Sequence, residues 1–400
     1  MSAIVCQLCG SKELTGIIDL GLHPLADTFW KAEDIPKTEK RYPLRVLLCQ
    51  RCGYAGLETI VPAEERYTAT DYSYTSSNSR VAVTHFQELA SEVVRNRGIK
   101  ENDLVVDIGS NDGTLLMAFR DQTGCQVLGV DPSPNIAKLA NASGVPTLPN
   151  FFDEAAVDNI LEQYGKPRLI TGTNVLNHSS NIADFMGNIV KFLAPGGVFV
   201  FEVPYLLTLV ESRAFDTIYL EHISYLAIKP LQKFFQRFGL AIEHLDKIDY
   251  MGGSIRVYVS RNKESREVAN FVAAEEQAGI FQTGTYEKFM DDVKGLKAGV
   301  LREITELKAR GEKIVGIGAA TKGNTFLNYC GIDNTMLEFI TEASPLKIGK
   351  FTPGSRIPIK SDADITPDFH YALILPWNIA DFLKNKLADR NLKFITPKIP

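Results

Sequence analysis

A chain of 400 residues, 45% apolar and 23% charged, is long enough for two or three globular domains with cores of their own. Its net charge of −5 gives no electrostatic footprint for nucleic acid, so no nucleic-acid partner is expected. No apolar run approaches the roughly 20 residues that span a bilayer, and Met1–Cys6 lacks a basic-then-apolar leader, so no membrane partner and a cytoplasmic location are expected.

The chain opens with two C-x-x-C pairs, Cys6/Cys9 and Cys49/Cys52, each followed by a glycine. Paired knuckles of this kind point four thiolates at one ion, and four cysteines fill a tetrahedral site with no position left for substrate. A structural Zn2+ is therefore expected over residues 1–66. Residues 67–79 follow with three tyrosines and many hydroxyls. They read equally as a solvated linker or as a lid offering Tyr72 and Tyr74 to a polar ligand. Arg80–Arg97 carries an apolar stripe at helical spacing.

Leu104–Ile108 reads as a buried strand entering the turn Gly109-Ser-Asn111-Asp112-Gly113, with a helix from Thr114. The run is D-x-G-x-x-x-G, not a dinucleotide G-x-G-x-x-G. Asp107 precedes it, and Asp131 ends the next strand, where an acid can accept hydrogen bonds from ribose hydroxyls. Two acids around a glycine loop suit S-adenosylmethionine (SAM), which carries a sulfonium, an amine and a ribose but no phosphate. Further strands are expected at 126–130, 146–151, 168–174, 197–203, 240–247 and 254–260, alternating with helices. At their carboxyl ends lie Asn150 and Phe152, Asn174, and His178. Thr217-Ile-Tyr219-Leu-Glu221-His222-Ile-Ser-Tyr225 gathers ionisable groups before the sixth strand. If Glu221 and His222 enter a cleft together, the carboxylate can raise the basicity of the imidazole. A surface helix is the competing reading.

Residues 263–312 read as a charged helical connector. A second strand–glycine–helix unit begins at Lys313, where Lys322 and the helix start near Asn324 suit a phosphate. Lys347 and Lys350 lie one unit further on. The expected fold is α/β: a central Rossmann-like SAM methyltransferase sheet (67–262), an N-terminal zinc-binding domain, and a smaller C-terminal α/β Rossmann-like domain (313–400).

These motifs together resemble the nucleotide-sugar C-methyltransferases, which methylate a carbon of a dTDP-linked 4-keto-deoxysugar. D-I-G-S-N-D-G resembles the SAM loop of that family, and Tyr219-Leu-Glu-His222-Ile-Ser-Tyr225 resembles its Y-x-E-H-x-x-Y run. G-A-A-T-K-G-N-T and K-x-G-K-F-T-P-G resemble its C-terminal domain. The resemblance implies His222 as base, with Tyr219 and Glu221 beside it. It implies His178 as a second active-site histidine, and Tyr74 or Tyr72 as a lid tyrosine. Lys322, Asn324, Lys347, Lys350 and Tyr225 would face the nucleotide sugar. A monomer methylating the carbon next to the ketone, at C-3, is the expectation. An O- or N-methyltransferase on a similar sugar, or a non-catalytic scaffold, are the alternatives.

Overall fold

The computed structural model describes residues 4–35, 37–67 and 72–397. The first strands are β1 (Leu14–His23), β2 (Tyr42–Cys49) and β3 (Ala55–Leu57), antiparallel neighbours in that order. Their inward residues Leu44, Val46 and Leu48 are fully buried. Alternation along β2 buries these and turns Arg45 outward, as a strand covered on one face requires.

The central sheet holds β4 (Leu104–Ile108), β5 (Gln126–Val130), β6 (Thr147–Leu148), β7 (Leu169–Thr173) and β8 (Val198–Pro204). These five run parallel, in the spatial order β8-β7-β4-β5-β6. The short strand β9 (Ser224–Tyr225) comes next in the chain, then β10 (Ala241–Ile248) and β11 (Ser254–Ser260). β11 inserts antiparallel between β8 and β10, so the chain's last central strand is not at the edge. The whole of β4 is buried, which is why it reads as an unbroken apolar run around one acid, Asp107. Each fully buried Val, Leu, Ile or Phe in such strands contributes about 1.5–3 kcal/mol.

The third sheet, β12 (Ile314–Ile317), β13 (Ile340–Thr341), β14 (Ile359–Lys360), β15 (Tyr371–Ile374) and β16 (Lys393–Ile395), is all parallel, in the order β14-β13-β12-β15-β16. Helices Glu267–Gln277 and Thr283–Ala309 link it to the central sheet. No helix among the described residues is long and apolar enough to cross a membrane.

β9 does not join the central sheet. It pairs with β3, Ala55 opposite Tyr225 and Gly56 opposite Ser224, and the Leu57 amide donates to the Ile223 carbonyl at 2.8 Å. The segment carrying Tyr219, Glu221 and His222 therefore leads directly into the fourth strand of the N-terminal sheet.

Several sequence-based boundaries shift. The expected strand 146–151 contracts to Thr147–Leu148, because Pro149 has no amide to donate and the Asn150 amide turns back to the Leu148 carbonyl. β13 spans only two residues, because just before it the amides of Met336 and Leu337 close a turn on the Asp333 carbonyl. Tyr67 is not in a loop: it ends the helix Ala63–Tyr67. Of the expected lid, residues 68–71 lie outside the described residues. Helix Leu206–Ser212 was not anticipated.

Candidate active site

Each C-x-x-C pair forms the same knuckle. The Gly10 amide donates to the Cys6 carbonyl and the Gly53 amide to the Cys49 carbonyl, both at 2.9 Å. At Gly53 the backbone is left-handed (φ 83°) and a Cβ would lie 2.5 Å from the Phe281 ring, so glycine is required. The pairs interleave across the strand ends, with Cys6 Sγ 3.6 Å from Cys52 Sγ and Cys9 Sγ 3.6 Å from Cys49 Sγ. That spacing is far too long for a disulfide bond of about 2.05 Å. It is close to the edge of a tetrahedron with Zn–S bonds of about 2.3 Å. All four sulfurs lie within 4.8 Å of one another, so the donor set fits a closed Zn2+ site.

At the carboxyl ends of β4 and β5, Asp107 is 2% exposed and Asp131 is 6% exposed. Asp107 Oδ1 accepts from the Thr171 hydroxyl at 2.7 Å, and burial pushes its pKa up to about 7. Asp131 accepts from the Asn111 amide at 3.0 Å and the Ser133 amide at 2.9 Å, which closes the glycine turn onto β5. Gly109 has φ 64°, and a Cβ there would lie 2.4 Å from the Val175 side chain, so only glycine lets the turn pass against the segment that follows β7. Asn111 and Asn174 also hold positive φ, both at the mouth of this turn. The Asn174 amide is tied to the Glu202 carbonyl at 2.7 Å.

The 72–79 segment is stitched to this turn. The Ser76 amide donates to Asn111 Oδ1 at 2.9 Å, the Ser77 amide to Asp112 Oδ2 at 2.9 Å, and Asn111 Nδ2 to the Tyr74 carbonyl at 3.1 Å. Asn135 Nδ2 holds the Tyr72 carbonyl at 3.0 Å. The segment is therefore a bridge over the glycine turn rather than a free linker. Asn177, 1% exposed, has no partner for either side-chain amide atom, and the buried Ser110 hydroxyl likewise has none. Buried amides without partners are rare in folded proteins, and here they border the turn where a polar ligand would dock. The acids, the turn and these open groups fit SAM. The Phe152 ring packs on Phe185 at 5.3 Å and Phe192 at 6.0 Å, a core contact, while Asn150 is exposed.

Beyond this turn, His222 sits 6% exposed between the 3-10 turn Phe215–Thr217 and β9. Its Nδ1 lies 2.9 Å from the Thr217 carbonyl, which can only accept, so Nδ1 carries the proton and Nε2 the lone pair. The Tyr219 hydroxyl donates to Nε2 at 2.5 Å. Burial lowers the imidazole pKa to about 3, so His222 is neutral. Glu221 does not touch it. Glu221 Oε1 accepts from the Asp27 amide at 3.0 Å, Oε2 has no partner, and burial raises its pKa to about 7. The expected carboxylate support for His222 is thus replaced by a backbone carbonyl. The two residues end a turn closed by the His222 amide on the Tyr219 carbonyl at 2.9 Å, and from it the carboxylate and the imidazole reach different partners.

His178 meets His222 edge to face, ring centroids 4.7 Å apart, and its Nδ1 is 2.6 Å from the Tyr67 hydroxyl. Tyr225, on β9, is 3% exposed with its hydroxyl unpartnered. Sequence reasoning missed Asp27, whose carboxylate accepts from Thr321 at 2.9 Å and Ser73 at 3.3 Å while one oxygen stays open. No local motif marks it, because its partners lie in three distant segments.

On the C-terminal side, Lys322 Nζ lies 5.2 Å from the centre of the Trp377 ring, and Trp377 Nε1 donates to Asp216 Oδ2 at 2.8 Å. Lys347 is 6% exposed: it donates to the Ala319 carbonyl at 3.0 Å and lies over Phe29. Asn324 is 2% exposed and spends its amide on the Ala26 carbonyl at 2.7 Å, holding the N-terminal segment in place. Lys350 is half-buried nearby.

Three family models match this chain end to end: a zinc binding domain over residues 6–67, a methyltransferase domain over 83–245, and a C-methyltransferase C-terminal domain over 249–400. The C-methyltransferase NovU of Streptomyces niveus is 33% identical over 402 residues, covering 98% of this chain and 94% of that protein. The chain belongs to the C-methyltransferase family. It is a SAM-dependent C-methyltransferase with a zinc-binding N-terminal domain. Solved structures similar to this methyltransferase include the magnesium protoporphyrin IX methyltransferase of Synechocystis PCC 6803 with bound SAH. That chain is 14% identical, with 46% of this chain and 86% of that chain covered and a TM-score of 0.37. A SAM-dependent methyltransferase of Clostridium acetobutylicum ATCC 824 is 12% identical, with 45% and 92% covered and a TM-score of 0.36. Scores that low add nothing to what the methyltransferase's own geometry shows.

Proposed function

We propose that this methyltransferase acts on a nucleotide-linked 4-keto-deoxysugar, a dTDP sugar, and adds a methyl group at the carbon next to the ketone, C-3. The observation that carries this reading is His222. It is a buried neutral imidazole whose tautomer is set by the Thr217 carbonyl, so that its Nε2 lone pair is held ready and capped by the Tyr219 hydroxyl.

A carbon beside a ketone becomes a nucleophile when its proton is removed. His222 Nε2 receives that proton through the Tyr219 hydroxyl, which passes its own proton to the imidazole as it takes the sugar's. The electron pair of the C–H bond moves to the ketone oxygen as an enolate, and His178 and Tyr72, which rather than the expected Tyr74 packs its ring on Tyr67 at 6.0 Å, are the donors for that oxygen. Bound SAM would supply the electrophilic methyl, and Asp107, Asn111, Asp112, Gly113 and Asp131 would hold it against the sugar carbon. The short bridge from Tyr72 to Ser79 over the glycine turn would exclude water and align the two reactants.

Lys322, over Trp377 and half-buried, supports binding of a diphosphate, to which Lys350 would add charge, whereas Lys347 is committed to the Ala319 carbonyl. We assign residues 1–66 to the zinc domain, 67–262 to the methyltransferase domain, 263–312 to the connector and 313–400 to the nucleotide-holding domain. The deciding experiment is incubation with SAM and a panel of nucleotide 4-keto-deoxysugars, with the methylated position located by NMR. Methyl on oxygen or nitrogen would sink the carbon assignment.

A further inference from the structure

Arg66 lies outside every motif that pointed to the reaction and Tyr67 only opens the tyrosine segment, yet both contact its centre. Arg66 is 6% exposed, deep for a guanidinium. Each of its nitrogens is used. Nε donates to the Val61 carbonyl at 3.0 Å and Nη2 to the Ser180 hydroxyl at 2.8 Å. Nη1 is shared between the His178 carbonyl at 3.0 Å and the Tyr67 phenol oxygen at 3.2 Å. A guanidinium has no acceptor, so the Tyr67 oxygen must accept from it. The phenolic proton then points to the acceptor 2.6 Å away, His178 Nδ1. An imidazole that accepts at Nδ1 carries its hydrogen on Nε2.

His222 has the opposite arrangement, because the Thr217 carbonyl requires a proton on its Nδ1. Two neutral histidines 4.7 Å apart thus hold opposite tautomers, one offering an N–H and the other a lone pair. The fixed charge of Arg66 beside His178 also opposes its protonation, as does burial.

We infer that Arg66 and Tyr67 are positioning residues that lock His178 as the Nε2–H tautomer, so that it donates to the ketone oxygen while His222 serves the adjacent C–H. The chemical use of the lock rests on the reaction proposed above. The lock itself does not, because it exists before any substrate binds. A tautomer set by a neighbouring group, rather than by chance, is what lets a neutral imidazole act as an electrophile. Arg66 lies in the helix Ala63–Tyr67, which follows β3, so the N-terminal sheet carries both the lock and, through β9, the base.

The test uses the full-length zinc-loaded protein, 15N-labelled at its six histidines. Two-bond 1H–15N spectra separate protonated from unprotonated ring nitrogens, and His178→Gln and His222→Gln assign the two rings. The expected wild-type pattern is a protonated Nε2 on His178 and a protonated Nδ1 on His222. Tyr67→Phe should shift His178 toward the other tautomer and lower kcat by about tenfold or more, with SAM affinity changed less than about twofold. A proton on His178 Nδ1 in the wild type overturns the inference without any variant. So does a Tyr67→Phe protein that keeps both the wild-type tautomer and the wild-type kcat. Should that variant misfold, the wild-type spectrum still decides. Absence of activity on every ketosugar, with the spectrum as expected, would instead count against the proposed reaction and leave the lock standing.

Discussion

The rings of His178 and His222 meet at 83°, with centroids 4.7 Å apart, although 43 residues and four elements of the chain separate them. One follows β7 of the central sheet and the other precedes β9 of the N-terminal sheet, so the pair exists only where those two sheets meet.

Removing the base should separate binding from chemistry. His222→Gln keeps a polar side chain of similar size, and SAM affinity should stay within about twofold while methyl transfer falls about 100-fold or more. Tyr219→Phe removes the hydroxyl on Nε2 and should cost about tenfold or more in kcat if the phenol relays the proton. Steady-state kinetics and isothermal titration with SAM check both. An unchanged kcat for Tyr219→Phe would mean that the phenol merely yields its place to the sugar.

The affinity for SAM should depend on pH. Burial holds the Asp107 carboxyl near 7, so below that pH it is neutral and a cationic ligand gains less from it. Raising the pH through 7 ionises Asp107 and should tighten binding. Asp107→Asn should weaken binding at pH 8 and flatten its pH dependence near 7. Calorimetry in buffers of different ionisation enthalpy reads the same event as proton release on binding.

Acid should destabilise the fold through its buried histidines. His222 and His23 are held by burial near 3 and near 4, below the ordinary 6.5. Their folded pKa values are depressed, so the stability they contribute is present above 6.5 and lost as pH falls toward 4 and 3, because the unfolded chain takes up those protons first. Asp107 and Glu221, raised to about 7, act in the opposite sense: their contribution is full below the ordinary carboxylate range and lost as pH rises through 7. The two sets oppose one another between pH 6.5 and 4.5, so the histidine contribution is read as a difference: over that range the urea midpoint of His23→Gln should fall less, or rise more, than that of the wild type.

Zinc should matter to the chemistry as well as to the small domain. The knuckle cysteines end β2 and flank β1, and β9 hangs on the same sheet through β3. Cys49→Ser, or prolonged chelation, should lower Tm and also cost about tenfold or more in kcat, since structural zinc supplies folding energy directly. Full activity in a metal-free protein would show that β9 is held by the central sheet alone.

Lys322→Ala should raise the KM for the nucleotide sugar about tenfold, leaving SAM affinity unchanged. The lysine is half-buried over Trp377 and its charge is opposed by burial, so an anion that replaces lost solvent should matter there.

The parts legible in the sequence were those with local cause. Asp107–Gly113 could be read because the apolar run, the acid and the glycines are contiguous, and the four cysteines because their spacing repeats. What was not legible depends on long-range pairing. Nothing in Ser224-Tyr225 says that it pairs with Ala55-Gly56. Nothing in Glu221-His222 says that the carboxylate turns to Asp27 while the imidazole turns to the Thr217 carbonyl. Tyr67 stood first among three tyrosines, but its role depends on Arg66 being buried, which its charge argues against until its four acceptors are in place.

The central claim is that His222 removes a proton from the carbon beside the ketone. The direct test is proton NMR of a dTDP-4-keto-deoxysugar incubated in D2O with the protein and without SAM. Deuterium should enter at that carbon with the wild type and fail to enter with His222→Gln. Methylated product from the wild type together with no deuterium wash-in, or equal wash-in by the His222→Gln protein, would contradict it.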